Sequence, residues 1–248
     1  MSLDMNEIEK FKREVLERIE SYGNDPDFKR LALEWTKQSL IRKYVYNFEW
    51  LGRPIIQMPQ DIIGLQEVIW KVKPDLIIET GIAHGGSIIF SASMLELLGG
   101  NGKVVGVDID IREHNRKEIE NHPMFKRIEL IEGSSISEDT AQRVRAIAAD
   151  YSNVMVILDS NHTHNHVSKE LEIYSSLVSI DSYLVVFDTF VEDMPRDFFH
   201  DRPWNVGDNP KTAVFAFLKE NDSFEIDNVI ENKLMVSSAP SGFLKRVR

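Results

Sequence analysis

Short apolar runs alternate with amphipathic stretches through the middle of the chain, and this alternation predicts a parallel sheet. Strands that are buried on both faces read as near-continuous apolar runs. Such runs occupy residues 75–80, 103–110, 127–133, 153–159 and 182–188. The stretches between them have helical patterns, at residues 87–98, 112–121, 137–149 and 165–179, with Ser137 as a plausible N-cap. Repeated β-α units with short turns predict an α/β fold with a doubly wound, mostly parallel sheet.

The chain on either side of this alternation is organised differently. Upstream, the pattern predicts two helices, an irregular connector broken by glycine and proline, and a further helix, at residues 5–22, 27–45, 47–61 and 60–72. Downstream, it predicts one helix and two strands, at residues 211–221, 223–227 and 242–247. We therefore divide the chain into an N-terminal helical extension with its connector, residues 1–58, and one α/β domain, residues 59–248.

The composition narrows the functional classes. The 248 residues carry a net charge of −11, which argues against a surface that wraps nucleic acid or binds an anionic membrane. The absence of cysteine excludes disulfides, thiolate metal sites and cysteine nucleophiles. The N-terminus lacks the apolar segment of a signal peptide, and no apolar stretch approaches the roughly 18 residues of a membrane span. We expect a cytoplasmic protein with neither nucleic acid nor a membrane as partner.

Polar residues follow the predicted strands at the point where each strand ends. They are Glu79, Asp108, the stretch Gly133-Ser134-Ser135, Asp159 and Asp188. Ligands of open parallel sheets bind beyond the carboxyl ends of the strands. Each of these residues alone is compatible with a helix cap or a loop, but their recurrence at five strand ends predicts a ligand site at one edge of the sheet.

A glycine-rich loop, ETGIAHGGS at residues 79–87, joins the first of these strands to a helix. It matches neither G-x-G-x-x-G nor the P-loop pattern, which disfavours a dinucleotide or nucleotide-hydrolase site. The spacing E-x-G-x-x-x-G suits the first loop of an S-adenosylmethionine (SAM) methyltransferase better. Asp108, at the end of the next strand, is placed to accept the ribose hydroxyls of a nucleoside, in SAM and NAD enzymes alike, and Ser134 and Ser135 are placed to bind an adenine edge.

Three histidines follow Asp159 in the stretch LDSNHTHNHV, residues 158–167. His162 and His166 are four positions apart and would form a metal pair if both lay on one helix face. Alternatively, Asp159 and Asp188 supply hard oxygen ligands for Mg²⁺, and His162 accepts a proton from a bound hydroxyl. His164 and His166 are better explained as solvated residues at a helix start. For His162, three residues after Asp159 at the ligand edge, we favour a functional role.

A resemblance to a known family lies in the stretches WLGRPIIQMPQDIIGLQEVIWKVKPDLIIETGIAHGGSIIFSASMLELL, ILDSNHTHNHV, SYLVVFDT and PSGFLKRV. The family that the chain resembles is the cephalosporin hydroxylase family, over roughly residues 47–248. Despite its name, that family is similar to SAM-dependent O-methyltransferases with a Rossmann-like fold, including enzymes that methylate macrolide sugars. The resemblance implies Asp159 and Asp188 as metal ligands and His162 as general base. It also implies a SAM pocket, and with the residues placed by the strand ends the candidate set is Glu79, Thr80, Gly81, Gly85, Gly86, Ser87, Asp108, Ser134 and Ser135.

One departure from the family pattern concerns the metal. The family has Glu-Asp at the end of the strand over residues 182–188, where this chain has Phe187-Asp188. Either Mg²⁺ binds with an extra water, another residue replaces the carboxylate, or the site does not use metal. The segments at residues 47–58 and 191–210 are irregular and aromatic, and we expect them to shape the acceptor pocket.

The resulting functional hypothesis is methyl transfer from SAM to a hydroxyl of a sugar or other small molecule, in polysaccharide or secondary-metabolite biosynthesis. One alternative is a hydroxylase or oxidoreductase on the same fold, in which two carboxylates and a histidine imitate an iron-binding triad. Another is a SAM-binding protein without catalytic activity. The family resemblance and the N-terminal helices also make a homo-oligomer plausible.

Overall fold

The N-terminal part of the fold consists of helices that lead into a small hairpin. A computed structural model describes residues 6–196 and 198–248, so the first five residues of the predicted extension lie outside the described residues. Two helices come first, α1 (Glu7–Gly23) and α2 (Pro26–Ile41). After a 3-10 turn at Tyr44–Asn47 the chain forms two antiparallel strands, β1 (Phe48–Trp50) and β2 (Arg53–Ile55).

The prediction of an irregular connector was therefore wrong over its first half. The strands are joined by the two residues Leu51 and Gly52, whose φ angles of +48° and +84° are those of a tight hairpin turn. Three-residue strands are too short to show an alternation of polar and apolar positions, so the pattern did not reveal them. The chain that leaves β2 runs along the glycine-rich loop, so residues 54–57 border the same cavity as that loop.

A seven-stranded sheet forms the centre of the fold, as the apolar runs predict. Its strands, in the chain order, are β3 (Leu76–Thr80), β4 (Lys103–Asp108), β5 (Ile128–Glu132), β6 (Val154–Leu158), β7 (Tyr183–Val186), β8 (Phe224–Ile226) and β9 (Phe243–Arg246). The spatial order is β5-β4-β3-β6-β7-β9-β8. The strands from β3 to β7 are parallel, whereas β9 runs antiparallel to both β7 and β8. Thr80 pairs with Val107 on one side and Leu158 on the other, so the central strands end at the same level.

Helices cover both faces of this sheet. They are α3 (Pro59–Val72), α4 (Gly86–Leu98), α5 (Glu113–Glu120), α6 (Glu138–Ala148), α7 (His164–Tyr174), α8 (Pro210–Glu220) and α9 (Asn228–Leu234). One core contains side chains of α3, α4, α5 and α9, and the other contains side chains of α6, α7 and α8. Neighbouring strand residues alternate between them, since Ile77 belongs to the first core and Ile78 to the second.

Local signals predicted most of these elements correctly. Ser137 caps α6 by accepting a hydrogen bond from the backbone N–H of Thr140, as predicted. The short helix α9, between the last two strands, was not predicted. Among the described residues, no helix combines the length and apolar character needed to cross a bilayer. Self-association and a cytoplasmic location stay predictions.

Candidate functional site

The glycine-rich loop passes very close to two neighbouring backbone segments. Gly81 has φ +82°, and a Cβ at this position would lie 2.1 Å from the carbonyl oxygen of Asp159, at the end of β6. A Cβ on Gly86, at the start of α4, would lie 2.2 Å from the carbonyl oxygen of Pro54 in the hairpin. Both separations are shorter than any real Cβ contact, so only glycine permits this packing. The loop is thereby held between the sheet edge and the hairpin.

Asp108 holds the same loop from the neighbouring strand. Its Oδ2 atom accepts hydrogen bonds from the backbone N–H groups of Ile82 and Ala83, at 2.9 and 3.4 Å. Its Oδ1 atom accepts from the N–H of Asp110 at 3.1 Å. The carboxylate also lines both cavities that border the loop. Asp108 therefore lies where the strand-end pattern predicts, and it fixes the shape of the loop as well.

Glu79 is buried behind the glycine-rich loop. Its side chain is 1% exposed, and its Oε1 atom accepts a hydrogen bond from the hydroxyl of Ser87 on α4. Within the described part of the chain, neither its Oε2 atom nor the hydroxyl of the fully buried Thr80 has a hydrogen-bond partner. Burial raises the pKa of Glu79 to about 7, and the bond from Ser87 opposes that rise. Glu79 and Thr80 thus place buried polar groups beneath the loop. Gly85, the residue before α4, packs against α5.

The predicted nucleoside residues surround a cavity of about 100 Å³. Ser134 and Ser135 line it from the end of β5, opposite Asp108. Ile109, which follows Asp108, also lines the cavity although its side chain is 73% exposed. An exposed apolar side chain that borders the cavity in this way offers a flat base a surface to pack on. The sequence pattern did not single out Ile109, because one exposed isoleucine after a strand has no distinctive signal.

His166 lies in the first turn of α7, as expected, but its ring lines this cavity and is not solvated. Its Nε2 atom lies 3.0 Å from the hydroxyl of Ser135 and 3.1 Å from that of Ser160, and Ser160 donates a hydrogen bond to the buried Glu170. The suggested metal pair of His162 and His166 is wrong, because His162 precedes the first residue of α7 and the two rings face different cavities. His164 is the first residue of α7, and its ring bonds Thr212 at 2.8 Å.

Three side chains converge beyond the ends of β6 and β7. Of the residues that the structure describes, Asp159, His162 and Asp188 form a group whose ligand atoms all lie within 4.8 Å of one another. The Nε2 atom of His162 is 2.9 Å from the Oδ2 atom of Asp188. Trp204 packs edge-to-face on the imidazole, with ring centroids 4.6 Å apart. The strand-end argument therefore predicted which residues meet, but not the hydrogen bond or the tryptophan.

The electrostatics of this group favour an added cation. Burial and the nearby charges of Asp188 and Glu79 raise the pKa of Asp159 well above its ordinary value. Burial of the imidazole favours its neutral form, but the charge and hydrogen bond of Asp188 outweigh that effect and raise the pKa of His162. Two carboxylates held this close repel each other unless a proton or a cation lies near them. Carboxylate oxygens are also the protein ligands that Mg²⁺ prefers. The residues present thus fit a divalent ion.

Phe187 occupies the position at which the family pattern has a second strand-end carboxylate. Its side chain is 2% exposed and belongs to the core beneath the sheet edge. The buried Asp61 of α3 contributes negative charge nearby, but it is held by the hydroxyl of Ser237 at 2.5 Å and the N–H of Ser238 at 2.7 Å. Asp61 does not belong to the three-residue group. Asp159 and Asp188 are therefore its two carboxylates within the described chain.

Two larger cavities meet at this group. One of about 240 Å³ lies along the glycine-rich loop, and one of about 610 Å³ lies on the other side of His162 and is walled by Phe198, Phe199 and Trp204. The segment at residues 191–210 thus shapes a pocket as predicted, although residue 197 lies outside the described residues. In the segment at residues 47–58, Ile56 lines the larger cavity as expected, whereas Pro54, Ile55 and Gln57 line the smaller one.

Comparisons with known proteins agree with this geometry. A family model described as Rhamnosyl O-methyltransferase/CmcI matches residues 42–247. The rhamnosyl O-methyltransferase of Mycobacterium tuberculosis is 30% identical over 231 residues, which cover 91% of this chain and 81% of that protein. The protein of the same name from Mycobacterium leprae is 29% identical over 202 residues, which cover 79% of this chain and 82% of the relative.

Solved structures share the fold. A CmcI structure described as containing magnesium and SAM has a TM-score of 0.57 at 19% identity, covering 82% of this chain and 78% of that chain. An O-methyltransferase from Bacillus cereus in complex with S-adenosylhomocysteine (SAH) has a TM-score of 0.51 at 15% identity, covering 81% and 82%. At these identities the likeness concerns the fold alone, and it confirms the predicted Rossmann-like architecture.

Proposed function

Because the chain belongs to the Rhamnosyl O-methyltransferase/CmcI family, we propose that it transfers a methyl group from SAM to a hydroxyl group of a sugar. Membership confirms the resemblance drawn from the glycine-rich loop and the histidine stretch. The curated relatives act, by their names, on a rhamnosyl group. A sugar acceptor agrees with the expectation of polysaccharide or secondary-metabolite biosynthesis, which stays a prediction.

One observation carries the proposal: Asp159 and His162 line both the 240 Å³ cavity and the 610 Å³ cavity. Methyl transfer requires two bound reactants to meet at one point, and their alignment can lower the barrier by about 7–11 kcal/mol in favourable cases. A cofactor in the smaller cavity and an acceptor in the larger one would meet at these two residues. The arrangement is therefore that of a two-substrate enzyme.

In this proposal the 100 Å³ and 240 Å³ cavities together hold SAM. Asp108 accepts hydrogen bonds from the ribose hydroxyls, while Ser134 and Ser135 contact the adenine edge from the end of β5. Gly81 and Gly86 let the cofactor approach the backbone closely, and Ser87 lines the cavity at the start of α4. Bound SAM supplies the methyl group on a sulfonium, which is already a good leaving group.

His162 acts as the general base in this proposal. Its Nε2–H donates a hydrogen bond to Asp188, so Nδ1 is the ring nitrogen that takes the proton of the acceptor hydroxyl. A positioned base of this kind contributes about 10²–10⁴-fold in rate. Asp188 orients the imidazole through their hydrogen bond, and Trp204 restricts the ring from the acceptor side. Asp159 and Asp188 would hold Mg²⁺, which would lower the pKa of a bound hydroxyl.

The composition of the cluster disfavours the hydroxylase alternative. Non-haem iron oxygenases use two histidines and one carboxylate, whereas this group has two carboxylates and one histidine. Of the next two histidines in the chain, His164 bonds Thr212, and His166 faces the nucleoside cavity and bonds Ser135. The donor set instead matches the oxygen-rich shells of Mg²⁺.

The test combines binding and turnover. Calorimetric titration with SAH should show saturable binding, and incubation with SAM and a panel of rhamnosides and other glycosides should yield a mono-methylated product by mass spectrometry. Absence of SAH binding would contradict the proposal as a whole. Binding without turnover on any acceptor of the panel would favour a SAM-binding protein without catalytic activity.

A further inference from the structure

The side chain of Gln57 is buried at the cavity beside the glycine-rich loop, with its carbonyl oxygen unpaired among the described residues. The residue lies between β2 and α3, is 4% exposed, and lines the 240 Å³ cavity. Buried amides are almost always paired, and an unpaired one requires an explanation such as a ligand. Gln57 was not among the residues predicted from sequence, because it lies in the connector that we expected to border the acceptor.

The hairpin holds Gln57 in place against the loop. The guanidinium of Arg53 donates two hydrogen bonds to the carbonyl oxygen of His84, at 3.1 and 2.7 Å, and a third to the side chain of Asn115 at 3.1 Å. The close approach of Gly86 to Pro54 fixes the same segment from the other side. The position of Gln57 relative to the loop is thus set by bonds that link three separate parts of the chain. Such preorganisation is typical of a ligand contact.

The position of the cavity indicates which part of the cofactor Gln57 would meet. Asp108 and the two serines mark the nucleoside end, and Asp159 with His162 marks the point of transfer. The remaining wall of the 240 Å³ cavity, where Gln57 and Ser87 lie, is left for the amino-acid end. That end carries an ammonium group, which only donates hydrogen bonds, and an amide carbonyl is a matching acceptor.

We propose that Gln57 binds the amino-acid end of SAM by accepting a hydrogen bond from its α-ammonium group. This assignment rests on the proposed function, since it requires SAM in the cavity. The hairpin is then part of the cofactor site, although it precedes the α/β domain in the chain. Gln57 binds and positions the cofactor, and it takes no part in proton transfer.

Calorimetry with two ligands tests the assignment. SAH contains the amino-acid end, whereas 5′-methylthioadenosine has the same nucleoside and thioether but lacks that end. Gln57→Leu should weaken SAH binding by about 10–100-fold, the effect of losing a hydrogen bond to a charged group. It should change the affinity for methylthioadenosine by less than about twofold, because the nucleoside contacts are untouched. Gln57→Glu, which keeps an acceptor and adds charge complementary to the ammonium, should retain SAH binding.

Gln60→Leu is the matched control. Gln60 lies three residues further along and also has a buried carbonyl oxygen without a partner in the described chain, but it lines neither cavity of the site. Its substitution should leave both affinities unchanged. Equal weakening of both ligands by Gln57→Leu would overturn the assignment, since Gln57 would then support the whole pocket, and unchanged SAH binding would overturn it too. If the unsubstituted protein bound neither ligand, the proposed function itself would fail.

Discussion

The imidazole of His162 and the carboxylate of Asp188 form a 2.9 Å hydrogen bond between residues that follow different strands. The bond joins the predicted base to a predicted metal ligand, so the protonation of one depends on the charge of the other. Because Asp188 raises the pKa of His162, neutralisation of that carboxylate by a bound cation would favour the neutral imidazole. The predicted base and the predicted metal ligand are therefore electrostatically coupled, and the predictions that concern them are linked.

Substitution of His162 by alanine should lower the turnover number by about 10²–10⁴-fold, the usual contribution of a positioned base. SAH affinity should remain close to that of the parent protein, because the nucleoside contacts lie on the other side of Asp159. Steady-state rates and calorimetry on the same preparation measure the two effects.

His164→Ala is the control for this experiment. Its imidazole bonds Thr212 on α8 and borders neither cavity of the site, so the turnover number should be unaffected. A His162→Ala variant with the parent rate would exclude the base assignment, whatever its effect on stability.

Substitution of Asp159 by asparagine should stabilise the metal-free protein. It removes a buried carboxylate whose pKa is raised by burial and by neighbouring carboxylates. The melting temperature should rise by about 2–4 °C, which corresponds to roughly 1 kcal/mol in a chain of this size. Differential scanning calorimetry in the presence of a chelator measures this change.

The same variant should lose its response to Mg²⁺. At about a hundredfold excess over its Kd, a ligand stabilises the native state by about 2.7 kcal/mol, and the parent protein should show a rise of that order. Asp201→Asn, at an exposed carboxylate of the acceptor pocket, should respond like the parent. An unchanged Mg²⁺ response in Asp159→Asn would remove Asp159 from the ligand set.

Glu79 should make the stability of the ligand-free protein depend on pH. Its pKa is about 7 in the folded protein against an ordinary value of 4.5, so the native state retains a proton that the unfolded state loses between these values. The free energy of unfolding should therefore fall as pH rises from 4.5 to 7, by an amount on the order of 3 kcal/mol. Denaturant titrations at several pH values measure it.

Glu79→Gln should flatten this dependence, because the amide does not titrate and its oxygen can still accept the bond from Ser87. Glu129→Gln, at an exposed position of β5, should keep the slope of the parent protein. Identical slopes in the parent and in Glu79→Gln would show that Glu79 does not hold a proton near neutral pH.

Substitution of Gly81 by alanine should both destabilise the protein and abolish SAH binding. The position has φ +82°, and the added Cβ would lie 2.1 Å from the carbonyl oxygen of Asp159, so the end of β6 must shift. The left-handed backbone conformation costs a residue with a Cβ roughly 1–2 kcal/mol of folding free energy. The steric overlap adds to that cost.

Gly100→Ala separates the two contributions. Gly100 has φ +69°, but apart from its neighbours in the chain no atom of the described residues lies within 4 Å of its Cβ position. Its substitution should cost only the conformational 1–2 kcal/mol and leave SAH affinity intact. Equal losses of stability in the two variants, with SAH binding retained in both, would contradict the close packing of the loop against Asp159.

Local patterns in the sequence were enough to predict the sheet and the edge at which the site lies. Buried parallel strands are continuous apolar runs, and their carboxyl ends meet at one edge, so Asp108, Asp159 and Asp188 could be grouped without coordinates. Helix caps such as Ser137 are also decided within a few residues. The order in which the strands pair, and the antiparallel return of β9, carry no comparable local signal.

The sequence by itself therefore determined the α/β architecture, the glycine-rich loop and the polar strand ends, because each depends on residues close together in the chain. Only the tertiary structure decided that His162 bonds Asp188 while His166 faces Ser135, since the start of α7 sets the direction of each ring. It also decided that Gln57 reaches the 240 Å³ cavity beside the glycine-rich loop. That placement arises from the packing of a hairpin against a loop about 30 residues later, a long-range contact that no short window of sequence contains.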